Sequence, residues 1–111
     1  MNWEKLINID QLEAIKKESA INPVLIFKHS TRCSISDAAF ARLERNWKDE
    51  NAKRIKPYYL DLISFRSISS KIAEDFHIEH QSPQVLLIKD GNCVYDSSHM
   101  AISFAEIVSH A

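Results

Sequence analysis

The sequence predicts an α/β fold with a central mixed four-stranded sheet and helices on both faces. Three observations carry that prediction. Runs rich in β-formers alternate with segments of helical periodicity along most of the chain. The run "VLIFKH" (24–29) is largely apolar without alternation, as expected of a strand covered on both faces. Asp90-Gly91-Asn92 separates two β-like runs and is a strong hairpin signal, because Gly and Asn tolerate positive φ. A βαβ opening that ends in a hairpin requires a mixed sheet, and the right-handed crossover rule leaves few ways to fold it.

The elements follow in order. Trp3 to Ile7 reads as a short strand or a lead-in. Asp10 is a candidate N-cap for a helix over 11–20, with Leu12 and Ile15 at helical spacing and Glu13 near its start. Asn22-Pro23 ends it, and the strand 24–29 begins. After Cys33, Ile35, Ala39, Arg42, Leu43, Asn46 and Trp47 mark one helical stripe. "IKPYYLDL" (55–62) reads as a strand, and Pro57 suggests an edge position or a strand start. In "SFRSISSKIAEDFHI", Ile68, Ile72, Ala73 and Phe76 share a helical face, with Ser64 as a candidate cap. The hairpin "QVLLIKDGNCVYDS" follows, and "MAISFAEIVSHA" closes in helical rhythm.

The length of 111 residues fits one domain, residues 1–111, with a core large enough to need no staples. Fourteen basic residues against fifteen acidic ones imply no bulk attraction to nucleic acid or to an anionic membrane. No apolar run approaches the roughly 18 residues of a membrane span. The start has acids among its bases and no apolar core, so it does not read as a signal peptide. A cytoplasmic location is expected, and with it two free thiols, Cys33 and Cys93. The single glycine, Gly91, argues against glycine-rich phosphate loops.

Cys33 stands where the first buried strand hands over to a helix. Helix N-termini carry partial positive charge and unpaired N–H groups, and such positions lower a cysteine's pKa. Arg32, Lys28 and His29 are close in sequence, and Thr31, Ser34 and Ser36 supply hydroxyls to cap the helix or to donate to sulfur. A free cysteine is often a small packing residue. The polar flanks of "HSTRCS" favour reactivity instead. Ser82-Pro83 stands directly before a buried strand, where a turn is required and a cis bond is plausible.

"FKHSTRCSIS", then "SPQVLLIKDG", a hairpin and a terminal helix resemble the thioredoxin-like superfamily. More narrowly they resemble the YtxJ-type monothiol bacilliredoxins of low-GC Gram-positive bacteria, over nearly the whole chain. The family's motif is Thr-Cys-Pro-Ile-Ser. Arg32 and Ser34 depart from it, which bears on partner preference and on the first helical turn and redox poise. The resemblance implies that Cys33 is the attacking thiol and that Ser36 stands where dithiol relatives carry a resolving cysteine. It implies a thiol-disulfide oxidoreductase that removes a low-molecular-weight thiol, bacillithiol in the family, from S-thiolated client proteins. Thr31, Arg32, Ser34, Ser36, Ser82 and Pro83 would contact the substrate, Pro83 as a cis-proline facing Cys33 and Ser82 through its backbone. The small thiol would act as cosubstrate, with no tightly bound cofactor, no metal, no nucleic acid and no membrane partner.

Two other readings stay open: a non-catalytic module binding extended peptides along Ser82-Pro83, and, more weakly, a cluster carrier like the monothiol glutaredoxins. Cys93 is expected to be a strand residue far from the site. His77 and His80 are expected to be solvated near a helix end, and Asp61 to be a surface acid at a strand end. Trp3, Trp47, Tyr58 and Tyr59 read as packing.

Overall fold

A computed structural model describes residues 2–111. Its elements are β1 (Glu4–Lys5), α1 (Gln11–Glu18), β2 (Val24–His29), α2 (Ser34–Asn46), β3 (Lys56–Asp61), α3 (Arg66–Phe76), β4 (Gln84–Lys89), β5 (Asn92–Ser98) and α4 (Phe104–His110). Short 3-10 turns cover Asp49–Asn51 and His99–Ala101. The sheet runs β1-β3-β2-β4-β5 and has five strands, one more than expected. The extra strand is Glu4–Lys5, within the 3–7 segment read as a short strand or a lead-in and not counted in the sheet.

β1, β3 and β2 are parallel, and β4 runs antiparallel to both of its neighbours, β2 and β5. The central strands β2 and β4 are buried on both faces, which explains their unbroken apolar runs. Side chains alternate across β2. Val24 and Ile26 join Leu12 and Ile15 of α1 and Ile68, Ile72 and Phe76 of α3 in one core. Leu25 and Phe27 join Ala39 and Leu43 of α2 and Phe104 and Ile107 of α4 in the other. Fully burying each large apolar side chain contributes roughly 1.5–3 kcal/mol, so the two cores fix the sheet between its helix layers.

Three local expectations shift for physical reasons. α1 stops at Glu18 because Ser19 serves the hairpin: its hydroxyl accepts from Gly91 N–H at 2.8 Å and its carbonyl from Asp90 N–H at 2.9 Å. The hairpin turn itself places Asp90 and Gly91 at positive φ, 52° and 78°, as a two-residue loop between twisted strands requires. Pro57 lies near the start of β3, as one of the two expected alternatives has it, but β3 is an inner strand and not an edge; the proline is tolerated because β1 pairs only with Tyr58 and Tyr59. Ser64 does not cap α3. Its hydroxyl donates to Asp61 Oδ2 at 3.0 Å, and Asp61 also accepts from Ile63 N–H, so the two residues build the β3–α3 turn. No described helix is long and apolar enough to cross a membrane.

Candidate active site

β2 ends at His29, and after four intervening residues α2 begins at Ser34. Cys33 occupies the N-cap position of α2 with extended dihedrals, φ −118° and ψ 118°. Its N–H donates to Ser30 O at 3.2 Å and its carbonyl accepts from Asp37 N–H at 3.0 Å. Cys33 thus stands at the start of a 13-residue helix, at the positive end of its dipole, and its side chain makes no capping hydrogen bond. Cys33 is half-buried, while Thr31, Arg32, Ser34 and Ile35 around it are exposed.

Ser36, three residues after Cys33, is fully buried. Its hydroxyl oxygen accepts from Ser30 N–H at 3.0 Å and lies 2.6 Å from His29 Nδ1. His29 Nε2 meets the Asp37 carboxylate at 3.2 Å. A neutral imidazole protonated on Nε2 satisfies every group: Nε2–H donates to Asp37 and Nδ1 accepts from the Ser36 hydroxyl. Burial pushes the His29 pKa below its usual value, against the pull of Asp37 and Asp61, which agrees with that neutral form. The chain Ser30–Ser36–His29–Asp37 clamps the Cys33 turn to the end of β2. Ser36 therefore faces the interior and not the solvent side on which Thr31, Arg32 and Ser34 stand. The buried stripe of α2 is Ser36, Ala39 and Leu43: Ala39 and Leu43 are as expected, and Ser36 takes the inward place expected of Ile35. Ile35 is turned out beside Cys33, 53% exposed, because Ser36 takes the inward place for its hydrogen bonds.

The Ser82-Pro83 bond is cis. β4 begins at Gln84, which pairs with Lys28, so this turn lies at the same end of the sheet as Cys33. Pro83 O accepts from His99 N–H at 3.0 Å, tying the turn to the 3-10 segment after β5. Ser82 Oγ is buried and has no hydrogen-bond partner among the described residues.

Lys28 does not approach the sulfur from its own side of the sheet. Its side chain passes to the α3 face, fully buried, where Nζ donates to Ser69 O at 3.2 Å and meets His80 Nδ1 at 3.3 Å. Burial pushes its pKa down to about 8. His80 is exposed, as expected near a helix end, and its Nδ1 also lies 3.3 Å from Ser69 Oγ. His77 is exposed and closes α3 with a left-handed φ of 56°. Sequence reasoning missed the Lys28 cluster; its signal was a lysine inside an otherwise apolar strand run.

Cys93 pairs with Ile88, which lies opposite Val24 at the far end of β2. Five residue steps separate Val24 from His29, roughly 16 Å at strand rise. A disulfide needs Cα atoms about 4.4–6.8 Å apart. Cys93 Sγ donates to Tyr95 O at 3.3 Å, and burial pushes its pKa up to about 11. Trp3, Phe40, Trp47 and Tyr59 form an aromatic layer that reaches His29 through Phe40 and Tyr59.

The sequence model of the family described as "Monothiol bacilliredoxin BrxC" matches residues 4–107. Among solved structures, a protein described provisionally as an oxidoreductase with a thioredoxin fold is 28% identical, with a TM-score of 0.82, over 96% of this chain and 91% of that one. A thioredoxin of Malassezia sympodialis is 17% identical, with a TM-score of 0.77, over 98% and 90%. A thioredoxin of Fasciola hepatica is 15% identical, with a TM-score of 0.69, over 97% and 99%. The two thioredoxins speak to the fold alone, which is the thioredoxin fold.

Proposed function

The chain belongs to the monothiol bacilliredoxin family, and from that premise we propose that it removes a low-molecular-weight thiol from protein mixed disulfides through Cys33. Family and fold make it a thiol redox protein. The observation that carries the finer reading is the setting of Ser36. The position three residues after Cys33 holds a buried hydroxyl already committed to Ser30 and His29, and the only other cysteine lies at the opposite end of the sheet.

The step is thiol–disulfide exchange. The Cys33 thiolate attacks the cap sulfur of a client mixed disulfide. An S–S bond forms between Cys33 and the cap, the client's S–S bond breaks, and the client leaves as a thiolate that takes a proton from water. A free small thiol, as its thiolate, then attacks the cap sulfur. It leaves as the small-molecule disulfide and returns Cys33 as a thiolate. The client is reduced at the expense of the small thiol, and Cys33 ends as it began. Thr31, Arg32 and Ser34 form the exposed rim on one side, and the Ser82-Pro83 backbone offers an edge for an extended client chain on the other. Bacillithiol, the small thiol of the family, is the cosubstrate in this reading, and S-thiolated proteins are the partners. The cycle needs a compartment rich in reduced small thiol, and a cytoplasmic location is part of the proposal.

The test uses a protein carrying a bacillithiol or glutathione cap on one cysteine, mixed with the protein and excess free thiol. Client release at a rate above the uncatalysed background, lost in Cys33→Ser, supports the proposal. Tight binding of the client chain without release, unchanged in Cys33→Ser, would instead identify a peptide-binding module.

A further inference from the structure

Lys28 is a buried basic side chain that the exchange reaction does not use. It is fully buried, and its contacts are one carbonyl and one imidazole nitrogen; no carboxylate among the described residues forms an ion pair with it. A buried cation without an acid is destabilising, and an apolar side chain of similar length would pack there at lower cost. Its retention calls for another reason.

Its position supplies one. Nζ bridges Ser69 of α3 to His80, three residues before Pro83. Residues 77–83 are irregular, so their course depends on side-chain ties. Those ties come from two neighbouring places. Lys28 and Ser69 hold His80, while Gln84, which pairs with Lys28 in the sheet, accepts from Gln81 N–H at 3.3 Å and donates to Glu79 O at 3.0 Å. Ser82 and Pro83 follow directly.

We propose that Lys28 is a positioning residue that, through His80, fixes the 77–83 loop and so sets the affinity for the client chain at the Ser82-Pro83 edge. This rests on the reading that clients lie along that edge. Lys28 acts on binding and not on sulfur chemistry, because its side chain lies on the α3 face while the clamp under Cys33 lies on the α2 face. The lowered pKa of Lys28, caused by burial, and of His80, caused by burial and then by the Lys28 charge, fit an ammonium donating to a neutral imidazole.

The experiment compares Lys28→Met, His80→Ala and the double variant in two assays. In turnover of the capped client, each single variant raises KM about fivefold or more and leaves kcat within about twofold, and the double variant is no worse than either single one. Alkylation of Cys33 by iodoacetamide, which does not use the edge, keeps its wild-type rate. In amide hydrogen exchange, Gln81 and Ser82 exchange about fivefold faster in both single variants while Ile26 in β2 is unchanged. Lys28→Met with wild-type KM and wild-type exchange at Gln81 and Ser82 would overturn the proposal. So would faster exchange throughout the fold with a lowered melting temperature, which would make Lys28 a structural residue only. If the wild type itself does not turn over the capped client, the exchange reaction falls, and the hydrogen-exchange arm still decides whether Lys28 holds the loop.

Discussion

Cys33 and Cys93 carry the same side chain in opposite settings. Cys33 sits on an irregular turn at the C-terminal end of β2, half-buried, with exposed polar neighbours and a helix N-terminus beneath it. Cys93 sits beside the hairpin turn at the far end of the sheet, packed against the α1–α3 core with its Sγ donating to Tyr95 O. Burial pushes its pKa up to about 11. The difference teaches that the fold, and not the count of thiols, would make the proposed reaction a one-cysteine chemistry. A second cysteine is present, but it lies at the wrong end of a strand and is held as a neutral thiol.

The sharpest way to break that contrast is to delete each sulfur. Cys33→Ser is expected to reduce client release by about a thousandfold or more, to background, since no other group replaces the attacking thiol. Cys93→Ser is expected to stay within about twofold of wild type. Comparable losses in both variants would end the distinction.

The next largest effect concerns Cys93 directly. With a pKa of about 11, only about a thousandth of Cys93 is thiolate at pH 8, so its alkylation in the folded protein should be some hundredfold or more slower than that of a free cysteine. Mass-resolved alkylation of the native and the urea-unfolded protein measures this. Equal rates in the two states would show that the packing does not protect it.

Ser36 is what separates the Cys33 turn from a dithiol site. Ser36→Ala leaves Ser30 N–H and His29 Nδ1 without their partner and should cost about 1–3 kcal/mol in urea unfolding. No loss would mean that the clamp under Cys33 contributes nothing.

The smallest effect is on pH. Burial lowers the folded pKa of both His29 and His80 below the ordinary 6.5. The unfolded chain therefore binds more protons as pH falls through 6.5, so their contribution to stability is complete above that value and is lost as pH drops through the folded values. Lys28 acts in another window. Between pH about 8 and 10.5 the unfolded chain keeps a proton that the fold has shed, so its contribution rises with pH there. Urea midpoints across both windows should bend accordingly, and Lys28→Met should remove the Lys28 part of the alkaline bend and shrink the His80 part of the acid one, since the Lys28 charge helps to lower the His80 pKa.

Much of this architecture was legible in the sequence, because it rests on patterns that local chemistry enforces. The two-sided burial of β2 and β4 shows as unbroken apolar runs, and the Asp90-Gly91 turn shows as residues suited to positive φ. Cys33 was legible for the same reason, as a polar-flanked thiol at a strand-to-helix handover. What was hidden depends on contacts between residues far apart in the chain. In the first turn of α2, Ser36 and not Ile35 faces inward because Ser30 and His29 bond its hydroxyl, while Ala39 and Leu43 are buried as expected. α1 ended early because Ser19 is taken by the hairpin, 72 residues away. The Lys28–His80 contact spans 52 residues, and nothing near either one announces it.

The most direct measurement is the mass of the protein after a single turnover of capped client with no free thiol present. The account predicts that the whole cap persists on the peptide containing Cys33, while Cys93 remains free. A protein that has lost two hydrogens and joined Cys33 to Cys93, or one that carries the cap on Cys93, would contradict it.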